Sequence, residues 1–230
     1  MIALGILIFL FSRPISKIYV GSVFFLALVI AFITVFRLYD DLLQARNDTG
    51  KPDRIYTDPG ARKTLTFFLI ALLSVLLFFA SIINFTFACL LIGFVSVNHL
   101  LYLLVINNRT AAGFLPLLKY PFIYLVLQYS DLSAYSVGAS LVLSATSLFL
   151  AFVTFESLED KTFPVPARYS YALQVLSFAL IFVAKVNGIS TLSLSLLLSL
   201  SLIWSFLRIR AYAYVYLLCF FAFKFIVDQL

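Results

Sequence analysis

Charge is what this chain lacks most. Only 11% of its 230 residues are Asp, Glu, Lys or Arg, too few to cover the surface of a water-soluble domain of that length. Histidine is nearly missing as well, and the single His99 excludes any His-based metal site or Ser-His triad that does not use it. His99 lies inside an apolar run beside Asn98, so it is read as a hydrogen-bonded structural residue. The two cysteines, Cys89 and Cys219, also sit in apolar runs without metal-ligand spacing and are read as packing residues. No basic segment precedes the apolar run Met1–Phe11 and no small-residue cleavage pattern follows it, so a cleaved signal peptide is not expected. The net charge of +6 is ordinary for a membrane protein with basic loops, and nothing in the sequence points to nucleic-acid binding.

What the chain has is hydrophobic residues, 63% of the total, with a mean hydropathy of +1.10. Apolar runs approaching or exceeding ~18 residues recur along most of it, the pattern of an all-α, multi-pass membrane protein. The runs predict nine helices: Met1–Phe11, Ile18–Leu38, Thr64–Ile83, Phe85–Ile106, Gly113–Gln128, Tyr135–Phe155, Tyr169–Val186, Ile189–Phe206 and Ala211–Val227. The first is only ~16 Å long as a helix against a ~30 Å hydrocarbon core, so it is short or tilted, and the count is eight if it does not span. Lys119, beside Tyr120 and Pro121, falls inside the fifth, where a lysine is expensive unless it serves a cavity or a counter-charge. Loops after the even-numbered helices hold Arg37, Arg46, Lys51, Arg54, Arg62, Lys63, Arg109, Lys161, Arg168, Arg208 and Arg210. The opposite side holds Arg13, Lys17, Lys185 and Lys224, so the even-numbered ends are assigned to the cytoplasm.

The longest polar stretch, Phe36–Leu65, follows the second helix. It carries Asp40, Asp41, Asp48, Asp53 and Asp58, half of the ten acidic residues. Steps of four drift only ~40° around a helix, so Asp40, Gln44 and Asp48 share a face with Asp41 on its edge. Hard oxygen ligands followed by cations are what a Mg2+-bridged diphosphate needs, since Mg2+ takes carboxylates plus phosphate oxygens and Arg or Lys neutralises the rest. A solvated, mixed-charge loop that keeps a helix end out of lipid is the plainer reading of the same residues.

A second acidic cluster bears on that choice. Glu156 and Asp160 are four apart on one predicted helix face, with Glu159 beside them, at the cytoplasmic end of the sixth helix. Matched clusters four helices apart point to two four-helix pseudo-repeats plus a final helix, with a metal-diphosphate site shared by the two clusters.

On these residues the chain resembles the UbiA superfamily of intramembrane prenyltransferases, which carry NDxxDxxxD after the second helix and DxxxD after the sixth. The first motif reads Asp40-Asp41-x-x-Gln44-x-x-x-Asp48, and Pro52-Asp53-Arg54 with Gly60 resemble the PxRPLxxG segment that follows it. The second reads Glu156-x-x-x-Asp160, then Lys161, and Lys119 stands where family members often have a lysine. Asp40 replaces Asn, Gln44 replaces Asp, Glu156 replaces Asp and Leu115 replaces a usual tyrosine, while the glycine that usually follows the second motif is missing. The departures point to a divergent subgroup. A match of Asp41–Arg46 to the CDP-alcohol phosphotransferase motif fails, because Leu42, Ile55 and Pro59 occupy positions that motif reserves for other residues.

The resemblance implies a single nine-helix domain over residues 1–230. It implies Mg2+-dependent transfer of an isoprenoid group from a prenyl diphosphate to a lipophilic or aromatic acceptor, at the cytoplasmic side of the membrane. Asp40, Asp41, Gln44 and Asp48 would hold one Mg2+, and Glu156 and Asp160 a second. Asp41, Asp48 and Asp160 would be the catalytic set, with Arg54, Lys119 and Lys161 on diphosphate oxygens. Two alternatives stay open: a terpene cyclase of the same fold, and a non-catalytic binder of lipid diphosphates or divalent cations.

Overall fold

The computed structural model describes residues 2–12, 20–44, 58–83, 85–105, 108–131, 138–160, 163–184 and 212–229, and every regular element among them is helical. The helices are α1 (Ile2–Ser12), α2 (Val20–Gln44), α3 (Pro59–Ile83), α4 (Phe85–Val105), α5 (Arg109–Phe114), α6 (Lys119–Asp131), α7 (Ala139–Glu159), α8 (Ser170–Ala184) and α9 (Tyr212–Gln229). Short 3-10 turns, Leu115–Leu118 and Ala167–Tyr169, lead into α6 and α8. Among the described residues, five segments are long and apolar enough to cross a membrane: Pro59–Ile82, Phe85–Val105, Thr110–Gln128, Ala139–Glu159 and Ala167–Ala184. The helix expected over Ile189–Phe206 lies outside the described residues.

Several boundaries differ from the sequence expectation for identifiable reasons. Helix α3 begins at Pro59 rather than Thr64 because Asp58 caps it: Asp58 Oδ2 accepts from the Ala61 N–H at 2.7 Å, and Pro59 occupies the first helical position, where its missing N–H costs nothing. Gly60, Arg62 and Lys63 therefore belong to the helix rather than to the polar loop. Helix α5 starts at Arg109, ahead of the expected Gly113, because the Asn108 side chain accepts from the Ala111 N–H at 3.2 Å and caps it. The expected fifth helix is broken by the 3-10 turn at Leu115–Leu118. Pro116 and Pro121 each lack the N–H that would bond four residues back, and the tighter turn accommodates that loss. Lys224, counted with the side opposite the cytoplasm, lies buried within α9, its ammonium 5.0 Å from the Phe11 ring centroid.

The helices fall into two compact units, Met1–Ile6 with Tyr19–Leu100, and Leu7–Ile18 with Leu101–Leu230. In the first, α2 packs on α3 and stacks Phe32 and Phe36 on each other, with Phe36 also 5.3 Å from Phe94 of α4. Gly5 lets α1 approach α2, since a Cβ there would lie 2.6 Å from Ile30 Cγ1. Helix α3 buries Leu69, Leu76 and Ala80 but exposes Phe67, Phe68, Phe78 and Phe79. Leaving each such ring in water would cost ~1.5–3 kcal/mol relative to burial, and together they approach a domain's whole stability of ~5–15 kcal/mol. Hydrocarbon around this helix removes that cost.

In the second unit α7 is the central helix, packed on α6, α8 and α9. Its buried face includes Ser144, Ala145, Ser147 and Ala151, small residues that let neighbouring backbones come close without lipid between them. Ser147 and Ser157 donate to carbonyls three residues back, at 2.7 and 2.9 Å, so these hydroxyls are satisfied within the helix. The core is aromatic: Phe11 packs against Tyr124, Phe220 and Phe221, and Phe178 against Tyr216, Phe220 and Phe223.

Candidate functional site

The first acidic cluster lies in the last two turns of α2. The helix continues through Asp40 and Asp41 to Gln44, so the helical spacing assumed for positions 40 and 44 holds. Asp40 is 5% exposed. Asp41 is ion-paired: its Oδ1 is 3.5 Å from Arg37 Nε, one turn earlier. That pair was legible as a charge pair spaced four residues along a helix, and it gives Asp41 a partner that the metal reading had not assigned. Asp48 and Arg54 lie outside the described residues, and the structure describes Gln44 by its backbone only.

Next to this cluster the Tyr39 hydroxyl and His99 Nδ1 are 2.7 Å apart, tying α2 to α4. The only histidine thus has the hydrogen-bonded role expected of it. Its neighbour Asn98 is buried, and Asn98 Oδ1 has no hydrogen-bond partner among the described residues.

The second cluster closes α7. Glu156 is half-buried in the last turn and Glu159 is exposed. Asp160 stands at the very end of the helical face that the spacing predicted. It is the C-cap, with φ −105° and ψ 108°, and its N–H donates to the Glu156 carbonyl at 2.8 Å. The chain leaves the helix at the second carboxylate itself, and this i, i+4 bond keeps its backbone one turn beyond Glu156. Lys161 lies outside the described residues. The following loop is held by Pro164 against Gly113 of α5 and by Phe163, edge-on to Phe114 at 5.4 Å.

Lys119 opens α6 and is 3% exposed. Its ammonium lies 5.2 Å from the Tyr120 ring centroid, and Tyr120 stacks on Phe152 of α7 with centroids 3.5 Å apart. Phe152 precedes Glu156 by one helical turn. The second unit therefore brings a buried lysine to the acidic end of α7, with aromatic faces beside the cation.

Among the described residues no three His, Cys, Asp or Glu side chains come together in a group that could hold a metal ion alone. Mg2+ makes no such demand. It takes one or two carboxylates and completes its octahedron with phosphate oxygens and water, so the hard oxygen donors at each helix end fit it in kind.

Sequence reading missed a buried polar seam between α8 and α9. Gln174, 1% exposed, accepts the Tyr212 hydroxyl at 2.7 Å through Oε1. Ser177 donates to the Gln174 carbonyl at 2.8 Å and lies 2.8 Å from the Tyr216 hydroxyl. Gln174 Nε2 has no partner among the described residues. The signal available in the sequence was a glutamine inside an apolar span, which is costly in a bilayer unless it is used.

Compared with known proteins, the chain matches no family model, no curated sequence and no solved structure.

Proposed function

We propose that this protein is an intramembrane prenyltransferase of the UbiA kind, moving an isoprenoid group from a prenyl diphosphate to a lipophilic or aromatic acceptor. The observation that carries the reading is Lys119: a lysine 3% exposed inside an apolar span, at the acidic end of α7. An ionisable side chain within a membrane span marks a functional position by default, and a diphosphate is an anion of the kind a lysine there binds. In this reading the chain forms nine membrane helices, as two four-helix pseudo-repeats and a final helix, with the acidic helix ends facing the cytoplasm.

Asp40, Asp41, Gln44 and Asp48 would hold one Mg2+, and Glu156 and Asp160 would hold a second. Bound there, Mg2+ would supply the Lewis acidity that stabilises diphosphate as a leaving group. Lys119, with Arg54 and Lys161, binds diphosphate oxygens and orients the allylic carbon away from the charged end. The C–O bond breaks with its electron pair leaving on the diphosphate, the acceptor's nucleophile bonds to the freed carbon, and the acceptor proton passes to solvent. Aromatic side chains such as Tyr120 and Phe152 keep water from the electron-poor carbon and present π faces to it.

Gln44, a neutral amide where a carboxylate would bind the metal more strongly, favours a second reading, a non-catalytic binder of lipid diphosphates or divalent cations. The test is product analysis after incubating the purified protein with farnesyl diphosphate, Mg2+ and membrane lipid extract. An alkylated lipid is the expected product. A cyclised hydrocarbon without acceptor would assign a terpene cyclase, and saturable binding without any product would assign the binder.

A further inference from the structure

Helices α2 and α4 run in the same direction where they meet. Phe36 and Phe94 pack with ring centroids 5.3 Å apart, and about one turn further on the Tyr39 hydroxyl meets His99 Nδ1 at 2.7 Å. Asp40 comes one helical turn after Phe36 and beside Tyr39, while Asn98 comes one turn after Phe94 and beside His99. These two contacts bring Asp40 and Asn98 to one level of the first unit, and both are buried, 5% and 4% exposed. Asn98 Oδ1 has no hydrogen-bond partner among the described residues. A buried amide oxygen without a donor is costly, above all inside an apolar span. A carboxylate and an amide oxygen at one buried level are what a small hard cation takes. A carboxylate has about four acceptor sites, so Asp40 can ligate a metal and keep a hydrogen bond as well.

We infer that Asn98 Oδ1 is a further ligand of the Mg2+ at the acidic end of α2, a neutral oxygen supplied from α4. This role rests on the metal site proposed above, to which it adds a donor from outside the charged motif. Carbonyl oxygens suit Mg2+ alongside one or two carboxylates. An amide brings such an oxygen into the first unit without the burial cost of another carboxylate. The nitrogen and oxygen of the amide can be exchanged. The buried atom is then a donor, and its partner is the Asp40 carboxylate rather than a metal. The experiment separates the two.

The whole protein is reconstituted in phosphatidylcholine nanodiscs and titrated with Mn2+, which oxygen sites accept in place of Mg2+, the free ion being counted by electron paramagnetic resonance. Glu156→Ala/Asp160→Ala serves as the background, so that the α2 end is read by itself. Asn98→Leu, close in shape and without the oxygen, should weaken Mn2+ binding at least about tenfold. In EDTA its unfolding midpoint should be unchanged or raised, because the orphaned oxygen is gone. Asn98→Asp, which keeps an oxygen donor and adds charge, should bind Mn2+ at least as tightly as the background. Unchanged affinity in Asn98→Leu, or looser binding in Asn98→Asp, would overturn the ligand. A lower midpoint of Asn98→Leu in EDTA would also overturn it and assign the exchanged amide, donating to Asp40. If Asn98→Leu does not fold, Asn98→Asp still decides. Diphosphate release from farnesyl diphosphate is measured on Asn98→Leu and the wild type without the background changes. Mn2+ binding that needs Asn98, without release by the wild type, supports the ligand and counts against the transferase reading. Metal-dependent release, with Mn2+ affinity indifferent to Asn98, overturns the ligand alone.

Discussion

Asp41 stands between two uses of one carboxylate. Its partner Arg37 is about half exposed, so solvent screening limits the pair to a few tenths of a kcal/mol. A divalent cation bridged to a diphosphate outcompetes an interaction of that size. Arg37→Ala should therefore leave thermal stability nearly unchanged. It should lower the Mg2+ concentration for half-maximal diphosphate release about twofold, because a competing charge is gone; an unchanged or raised Mg2+ requirement would argue against Asp41 as a ligand. The Tyr39–His99 bond acts on position rather than charge. Tyr39→Phe removes one inter-helix hydrogen bond of ~0.6 kcal/mol, the average for such contacts in membranes. The expected result is a small drop in unfolding midpoint, together with a larger loss of activity than of stability if the bond holds the end of α2 in place. Both effects are read from denaturation and turnover on one preparation.

At the scale of elements, the segment from α5 to α6 and the loop after α7 position the second cluster together. Gly113 makes this possible: a Cβ there would lie 2.9 Å from Pro164 Cγ and 3.0 Å from Cδ, and a proline ring cannot swing aside. Gly113→Ala should cost ~1–3 kcal/mol, the usual range for overpacking, and should lower activity by moving the loop that follows Asp160. Gly93→Ala is the contrast, because nothing lies within 4 Å of its added Cβ. It should be neutral or stabilising by up to ~1 kcal/mol from helix propensity alone. Unfolding midpoints of the two variants test both statements. Helix positions were legible because long apolar runs have one stable form in a bilayer. Their ends were less so. The Asp58–Pro59 start of α3 was written in ordinary capping residues but was hidden inside a charged stretch read as loop. The 3-10 break before Lys119 was signalled by Pro116 and Pro121, yet hydropathy alone carried the helix through them. That Asp160 is the C-cap of α7 was not legible, because spacing cannot show where a helix stops. The seam around Gln174 depends on which faces of α8 and α9 meet, and no local pattern encodes that.

At the scale of the whole molecule, the exposed side chains report the surroundings. Phe67, Phe68, Phe78 and Phe79 on α3, like Cys89 on α4, are exposed, and both helices are apolar membrane-spanning candidates. Cys89 should therefore resist a water-soluble, impermeant maleimide in intact and in opened membrane vesicles, and should react once the protein is unfolded. Labelling in intact vesicles would place that face of α4 in water and contradict the membrane assignment. The central claim of the proposed function is that ionising a prenyl diphosphate needs the carboxylates of Asp41 and of Asp160, and the most direct measurement is Mg2+-dependent diphosphate release from geranyl, farnesyl and geranylgeranyl diphosphates. It is made on the wild type and on the separate variants Asp41→Ala and Asp160→Ala. The account predicts release that needs Mg2+ and falls at least about a hundredfold in either variant, in line with the loss of a group that stabilises transition-state charge. Release that persists in both variants, or that proceeds equally well in EDTA, would contradict it.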